Sequence, residues 1–298
     1  MLDLHRLMLL REIGARGSMS AAARNLAYSH STISQQMSIL EREAGVVLLE
    51  RVGRGVRLTE AAEQLVRHTE AVLSILERAQ SDLASAHARI RGTITLAAFS
   101  TAARAVLPEA LLRLGHLYPE LSVDVEQHEP EEGLARLAAR RVDLLIADEF
   151  PGAPLSVGPA LHAEPLHTDP VGAYLPVGSE ARSVADLGEL AWAMEPAGTG
   201  SFAWARRLCR DIGFEPRIRY RSADPLCHLR LVEAGLAAAF LPRLVVRESG
   251  TRLERCPLVP GDLERRLYAV SREGSQDRPV ILACQAVIRG VLASLSGP

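Results

Sequence analysis

An uninterrupted helical segment constrains this chain more than any other sequence feature. Residues 60–89 contain neither proline nor glycine, and apolar side chains recur there at alternating spacings of four and three. Thr59 is a good N-cap, and Glu60 and Glu63 lie in the first turn, where the helix dipole favours negative charge. We therefore predict one long helix that separates a small N-terminal domain from a larger C-terminal part.

The apolar positions of this helix form a heptad seam. A single helix with such a seam needs a partner helix, which is either the chain's own C-terminal domain or the same helix of a second copy. The seam positions are Leu65, Thr69, Val72, Leu76, Ala79, Leu83, Ala86 and Ile90, of which only Thr69 is polar.

The residues before this helix predict a winged helix-turn-helix. Helical periodicity indicates helices at 3–15, 19–27 and 30–43. Two short strand-like runs, 46–49 and 56–58, flank a Gly-Arg-Gly turn and predict a hairpin with arginines near its tip. In such a fold the last helix enters the major groove, and the hairpin can lie along the phosphate backbone.

The accessible face of the third predicted helix has no carboxylate before Glu41. A helix in the major groove needs hydrogen-bonding side chains that do not repel phosphate. A merely solvated face is the alternative, although such faces usually carry salt-bridging charges. The predicted DNA-contacting residues are Ser29, His30, Ser31, Thr32, Ser34, Gln35 and Ser38 on the helix and Arg51, Arg54 and Arg57 at the wing.

Composition excludes several functions but not DNA binding. All 34 basic residues are arginine, which excludes a Schiff-base lysine and the lysine of a P-loop or kinase. The formal charge is −2, yet residues 1–91 carry +2 and residues 92–298 carry −4. The spacings of the four cysteines give no zinc pattern, so we expect no metal, no cofactor and no catalytic residues.

Hydropathy indicates a soluble, cytoplasmic protein with no membrane partner. No apolar run approaches the ~20 residues of a membrane span. The N-terminus lacks the basic region that precedes the apolar stretch of a signal peptide.

Beyond Gly92 the pattern alternates between strands and helices, which predicts an open parallel α/β arrangement in two similar lobes. The predicted strands lie near 93–99, 121–127, 142–147, 171–175, 191–194, 217–221, 236–241 and 266–271, and a final helix at 278–294 returns to the first lobe.

Hydroxyl-bearing residues follow three of these strands, where open α/β lobes bind ligands at helix N-termini. Backbone N–H groups and hydroxyls there suit a carboxylate or similar anion, although each hydroxyl taken alone, and Asp224 too, is more often an ordinary N-cap. Asp148 and Glu149 can instead accept hydrogen bonds from an ammonium or amide. The predicted ligand contacts are Ser100, Thr101, Glu149, Thr199, Ser201, Phe202 and Asp224.

The N-terminal part closely resembles the DNA-binding domain of LysR-type transcriptional regulators. The resemblance covers residues 4–62 and rests on Ser18, the alanines at 21–23, Leu26, Ser34, Leu40-Glu41, Leu48-Leu49-Glu50-Arg51 and Arg57-Leu58-Thr59-Glu60-Ala61. His30-Ser31 departs from the Gln-Pro usual in the family. A looser resemblance over 92–298 rests on Leu117-Tyr118-Pro119-Glu120-Leu121, Val142-Asp143-Leu144, Ala234-Gly235-Leu236 and Leu241-Pro242.

The resemblance implies the architecture of this family. Residues 1–60 would form the DNA-binding domain, 61–91 the linker helix and 92–298 a periplasmic-binding-protein-like effector domain. Lobe I would comprise about 92–162 plus 267–298, and lobe II about 163–266. The linker helix would pair two chains, and the implied dimerisation residues are Leu65, Val72, Leu76, Ala79, Leu83 and Ile90.

The function implied is that of a bacterial regulator that is not an enzyme. It would bind paired half-sites on double-stranded DNA as a homodimer or homotetramer, contact RNA polymerase and respond to a small-molecule effector, with a carboxylate as one candidate. Two alternatives stay open. One is an enzyme tethered to DNA, which the absence of GxSxG, HExxH and nucleotide fingerprints disfavours. The other is an architectural DNA-binding protein without an effector, which predicts an occluded cleft between the lobes.

Overall fold

The computed structural model of this chain describes residues 1–26, 28–53, 55–85, 90–249 and 252–295. Its contacts divide the chain into two compact units, Met1–Gln80 and Ser81–Pro298. Of the residues predicted to bind DNA or to form the heptad seam, Arg54 and Ala86 lie outside the described residues.

Three helices and a hairpin begin the N-terminal unit, as the sequence pattern predicts. The helices are α1 (Leu4–Arg16), α2 (Met19–Leu26) and α3 (His30–Ala44). The strands β1 (Leu49–Val52) and β2 (Gly55–Leu58) pair antiparallel.

Helix α3 connects the core of this unit to the hairpin. Ile33, Met37 and Leu40 are buried at the spacing of one helical face, and they pack with α1 and α2. At the end of the same helix, the carboxylate of Glu41 accepts a hydrogen bond from the backbone N–H of Leu48 at 2.9 Å. This hydrogen bond therefore connects the start of the hairpin to the end of α3.

The predicted long helix is confirmed as α4 (Glu60–Ser85). Its 26 described residues correspond to a length of about 39 Å at ~1.5 Å per residue. Among the described residues no helix is long and apolar enough to cross a membrane.

Strands and helices alternate through most of the C-terminal unit. The strands are β3 (Gly92–Ala98), β4 (Leu121–Gln127), β5 (Leu144–Glu149), β6 (Leu161–Tyr174), β7 (Ala191–Met194), β8 (Arg217–Arg221), β9 (Ala238–Pro242) and β10 (Glu264–Arg272). The helices are α5 (Ser100–Ala105), α6 (Leu107–Leu117), α7 (Pro130–Ala138), α8 (Val184–Glu189), α9 (Gly200–Ile212), α10 (Pro225–Glu233), α11 (Arg243–Val246) and α12 (Pro279–Leu295).

One mixed sheet of eight strands runs through this unit, in the order β4-β3-β5-β10-β6-β9-β7-β8. The predicted parallel arrangement is confirmed within each lobe, for β4, β3 and β5 and for β9, β7 and β8. It is wrong for the crossing strands β6 and β10, which are antiparallel to each other. The reason is that the chain leaves the first lobe through β6 and returns to it through β10.

Strand β6 is longer than the predicted 171–175 because two prolines disguise its first half. Proline lacks the N–H group of a sheet ladder and is tolerated mainly at bulges and edges. A bulge follows Pro165, and the pairing of β6 passes from β10 to β9 directly after Pro170. Both prolines thus lie where the regular ladder is already interrupted.

A buried ion network connects the crossing strands. Arg265 on β10 is 2 % exposed. Its Nε and Nη2 donate to Asp169 on β6 at 3.0 and 2.8 Å, and its Nη1 donates to Asp148 on β5 at 2.9 Å. The guanidinium also lies 5.0 Å from the ring centroid of Phe99. Three neighbouring strands therefore share one buried cation.

We predict that Arg265→Leu strongly destabilises the protein. The substitution leaves two buried carboxyl groups without their cation, which typically costs about 3–5 kcal/mol. Urea denaturation of the full chain measures this loss. The control is Arg266→Leu, because Arg266 is the next residue along β10 and is exposed. Equally small losses for both variants would contradict the structural role of the network.

Candidate functional site

Helix α3 presents the residues predicted to contact DNA on its accessible side. Ser31, Gln35 and Ser38 are exposed and Ser34 is partly buried, while the opposite side of the helix lies in the core. No aspartate or glutamate lies on α3 before Glu41, which is in the last turn of the helix. The predicted recognition face is therefore accessible in this unit.

The hydroxyl groups at the start of α3 contact one another. The Oγ of Ser29 accepts a hydrogen bond from the backbone N–H of Thr32 at 3.0 Å and lies 2.8 Å from the Oγ of Ser31. These groups cap the helix. By contrast, the amide of Gln35 has no hydrogen-bond partner in the part of the chain that the structure describes. Gln35 is thus an available donor and acceptor on this face.

The hairpin brings arginine side chains to the surface. Arg57 pairs with Glu50, its partner across the hairpin, at 3.0 Å. Arg51 is exposed and makes no ion pair with any described residue. Gly53 follows β1 at φ +57°, and Arg54 lies outside the described residues. The charge of Arg51 is therefore the less neutralised of the two described wing arginines.

Helix α4 carries an exposed apolar stripe. Four of its large side chains are 43–69 % exposed, which is unusual for apolar residues at heptad spacing. Of the other predicted seam positions, Leu65 and Ile90 are partly buried and Thr69 is buried. We define the seam stripe as Val72, Ile75, Leu76, Ala79 and Leu83.

A cavity of about 290 Å³, here called the cleft cavity, lies between the lobes of the C-terminal unit. Ser100 and Thr101 line it from the first lobe, after β3. Thr199 and Ser201 line it from the second lobe, after β7. The structure thus brings together four of the seven predicted ligand contacts from distant parts of the sequence.

Phe202 lines a smaller apolar recess of about 30 Å³ beside the cleft cavity. The recess is walled by aromatic rings, among them those of Trp204 and Phe240, whose centroids are 5.3 Å apart. Glu195 and Ser201 line both spaces. The recess therefore extends the cleft cavity with apolar surface.

The last two predicted contacts, Glu149 and Asp224, have local partners. Glu149 accepts a hydrogen bond from the backbone N–H of Leu155 at 3.0 Å. Asp224 caps α10, accepting from the N–H of Leu226 at 3.0 Å, and pairs with Arg104 at 3.0 Å. Neither is among the described residues that line the cleft cavity.

Sequence reasoning missed several carboxyl groups of this cavity. It weighed Asp148 as an acceptor, but not Glu129, Glu131 or Glu195, which all line the cavity. Their positions in the sequence could have indicated them, because Glu195 directly follows β7 and Glu129 lies two residues after β4. Of the described residues that line the cavity, Arg265 is the one with a side-chain cation.

Burial raises the pKa of three of these carboxyl groups. Burial raises the pKa of Glu195 to about 7. The hydrogen bond from the Ser201 hydroxyl opposes this shift, and the charge of Asp148 adds to it. Burial, together with the charge of Asp148, raises the pKa of Glu129. Burial also raises the pKa of Asp148, although Arg265 opposes it. The cavity wall therefore disfavours negative charge at several points.

We predict that Glu195 makes the stability of the protein pH-dependent. Its folded-state pKa of about 7 exceeds the ordinary value of 4.5, so the folded state binds the proton more tightly. The resulting stabilisation is fully present below pH 4.5 and is lost as the pH rises through about 7. Glu195→Gln removes this dependence, so the Tm of the variant minus that of the wild type should increase from pH 5 to pH 8.

Glu180→Gln is the control for that experiment, because Glu180 is exposed in the loop after β6. Its Tm difference from the wild type should stay constant over the same range. Differential scanning fluorimetry across the pH series measures both. A constant difference for Glu195→Gln as well would contradict the raised pKa.

Two family models match the chain. The model described as "Bacterial regulatory helix-turn-helix protein, lysR family" matches residues 4–63, and the one described as "LysR substrate binding domain" matches residues 87–293. Among curated relatives, a probable RuBisCO transcriptional regulator of Trichormus variabilis is 32% identical over 178 residues, which are 58% of this chain and 51% of that protein. The chain therefore spans about half the length of that relative. The regulator TcbR of a Pseudomonas species is 28% identical over 82% of this chain and 84% of its own length.

Solved structures share the fold. OxyR of Corynebacterium glutamicum, in a cysteine mutant with bound H2O2, is 23% identical and covers 99% of this chain and 96% of its own, with a TM-score of 0.58. Full-length CbnR in complex with its target DNA is 24% identical and covers 97% of this chain and 99% of its own, with a TM-score of 0.52. Because the family models together span most of the sequence, the chain belongs to the LysR family of transcriptional regulators.

Proposed function

We propose that this chain regulates transcription by binding DNA through α3 and the hairpin, and that a small-molecule effector bound in the cleft cavity alters that binding. The observation that carries the proposal is the accessible, carboxylate-free face of α3 next to a hairpin with exposed arginines. Such a face can approach DNA without repelling phosphate. The whole-chain match to a family of DNA-binding regulators supports it.

The residues on this face divide into two roles. Gln35 has the amide geometry for a bidentate contact with adenine in the major groove. His30, Ser31 and Ser34 are the further proposed base contacts on this helix. Arg51 and Arg57 would hold phosphates, with Arg57 weakened by its pairing to Glu50. Ser29, Thr32 and Ser38 complete the proposed DNA-contacting set on α3.

The seam stripe supports pairing of two chains through α4. An exposed apolar stripe on a helix is stabilised when a second helix covers it. A pair of chains presents two DNA-reading heads, which matches paired half-sites on one duplex. From the family alone, we also propose that the chains assemble into a tetramer in the cytoplasm and contact RNA polymerase. Leu65 and Ile90 would extend the interface at its ends.

The cleft cavity supports an effector over the architectural alternative, which predicts an occluded cleft. A space of about 290 Å³ bordered by both lobes lets one ligand contact both. The proposed effector contacts are Ser100, Thr101, Thr199 and Ser201. A ligand of this kind changes DNA binding only if it binds two arrangements of the lobes with different affinity.

We predict distinct effects for the two roles on α3 and the hairpin. Arg51→Ala should weaken binding to all duplexes and reduce the slope of log K against log salt by about 0.9 per lost phosphate contact. Gln35→Ala should cost about 1–3 kcal/mol on the preferred site and little on other sequences. Fluorescence anisotropy with DNA from upstream of the protein's own gene, over a salt series, measures both.

Arg182→Ala is the matched control, because it removes the same charge from an exposed position in the C-terminal unit. It should leave both the affinity and the salt slope unchanged. If Arg51→Ala behaved like this control, the hairpin would not be the phosphate-binding element. If Gln35→Ala weakened all sequences equally, Gln35 would not read bases.

We also predict that charge in the seam stripe separates the chains. Leu76→Glu combined with Leu83→Glu places carboxylates where a partner helix would pack, so sedimentation velocity should show a smaller species than the wild type. Gln64→Glu, on the exposed side of the same helix, should leave the size unchanged. An unchanged assembly in the double variant would mean that other surfaces join the chains.

A further inference from the structure

The titratable groups that line the cleft cavity are mostly acidic, which does not favour a carboxylate ligand. Four carboxyl groups line it against one guanidinium, that of Arg265, which leaves a formal charge of −3 when all are ionised. Arg265 itself is already held by Asp148 and Asp169. The four carboxyl groups are those of Glu129, Glu131, Asp148 and Glu195.

A helix N-terminus at the cleft cavity holds a carboxylate of the chain. The N–H of Ser100, at the start of α5, donates to Glu129 at 3.4 Å. An anionic ligand at this point would have to compete with Glu129 and would be repelled by it.

A buried hydroxyl in the cavity wall lacks a hydrogen-bond partner among the described residues. Thr101 is 0 % exposed and lines the cavity, and its Oγ1 has no hydrogen-bond partner in the described part of the chain. Buried hydroxyl groups are nearly always paired, because leaving one unpaired is costly. A ligand with hydrogen-bonding groups supplies the missing partner.

We infer that the cleft cavity binds a small organic cation, an ammonium or guanidinium compound, whose charged group is held by Glu195, with Asp148 and Glu129 adding negative charge nearby, and whose neighbouring polar atoms pair with Thr101. The inference rests on the proposed effector role of this cavity. A metal ion does not fit the acceptors, because no three or more His, Cys, Asp or Glu side chains come together as a metal site in the described residues. Acceptors spread around a cavity suit several N–H donors on an organic group.

The neighbouring apolar recess indicates what is attached to the charge. Glu195 borders both spaces, and the rings of Phe150, Trp204 and Phe240 wall the recess. The ring centroids of Phe150 and Trp204 are 5.0 Å apart, and aromatic faces attract cations and pack on methylene groups. The recess holds about 30 Å³, so it admits a methyl- or methylene-sized part of the ligand and no larger group.

Binding of such a cation has a pH signature. A positive charge next to Glu195 favours its ionised form, so binding lowers a pKa that is otherwise about 7 and releases a proton. The groups facing Glu195 are Asp148, Glu129 and Arg265 across the cavity and His228 in the recess. The affinity for a cation therefore rises from pH 6 to pH 8, whereas that for a carboxylate falls.

The test compares amines with carboxylates of the same carbon skeleton on the full chain. The probes are n-butylamine against butyrate, putrescine against succinate and benzylamine against benzoate, titrated by calorimetry. We expect at least one amine to bind about ten-fold or more tightly than its carboxylate partner. We expect Glu195→Gln to weaken that amine by about ten-fold, as for loss of one charge-assisted hydrogen bond, and to flatten its pH dependence. Glu180→Gln, remote from the cavity, is the control and should leave the affinity unchanged.

Tighter binding of the carboxylates would overturn the inference, and so would the absence of binding by every amine. Equal amine binding by Glu195→Gln and the wild type, with the variant folded by circular dichroism, would also overturn it. A footprint at the gene's upstream DNA, with and without the bound amine, separates this inference from the proposed function. Amine binding without any change in the footprint would reject the effector role and leave the chemistry of the cavity intact. A footprint that changes when a carboxylate binds would support the effector role and reject the cationic ligand.

Discussion

The C-terminal unit depends on one buried cation. Arg265 is 2 % exposed and holds Asp148 and Asp169 from two neighbouring strands. The charge can stay buried because its partners come from both sides of β10, with the face of Phe99 below it. Asp169 also accepts from the N–H of Leu244 at the start of α11. The network thus holds the two crossing strands together and connects them to α11.

The same network determines the electrostatics of the cleft cavity. Asp148 lines the cavity and also accepts a hydrogen bond from Arg265. The cation that stabilises the fold is therefore already paired and does not neutralise a ligand. Glu129 and Glu195 add charge from the ends of β4 and β7. Burial raises the pKa of both carboxyl groups, and the charge of Asp148 adds to the shift. A cavity of this kind is completed by a cationic ligand rather than by an anionic one.

Burial makes three of the four cysteines poor nucleophiles. It raises the pKa of Cys209 and Cys284 to about 12, and it raises that of Cys256 as well. Reactive thiols need a lowered pKa. The fourth cysteine, Cys227, is exposed.

Local patterns made the N-terminal unit predictable from sequence. The stripe of Ile33, Met37 and Leu40 and the proline-free run of α4 each determine a helix within one segment. Strand β6 was missed in part because Pro165 looks like a loop residue until its bulge opposite β10 is known. The hydroxyl groups that line the cleft cavity could be predicted because each group follows its own strand, although their contact with a ligand stays a prediction. The carboxyl cluster was not predicted, because the adjacency of Glu129 and Glu195 depends on strand order across the whole sheet.

In the proposed function, a cationic ligand couples the cleft cavity energetically to the DNA-binding face. Coupling is reciprocal, so DNA must change the affinity of the ligand as much as the ligand changes the affinity of DNA. The most direct measurement is the Kd of the tightest-binding amine for the full chain, alone and saturated with its upstream DNA. We expect a difference of about five-fold or more between the two values, at the lower end of allosteric coupling. Equal Kd values would show that the ligand and DNA sites are not coupled.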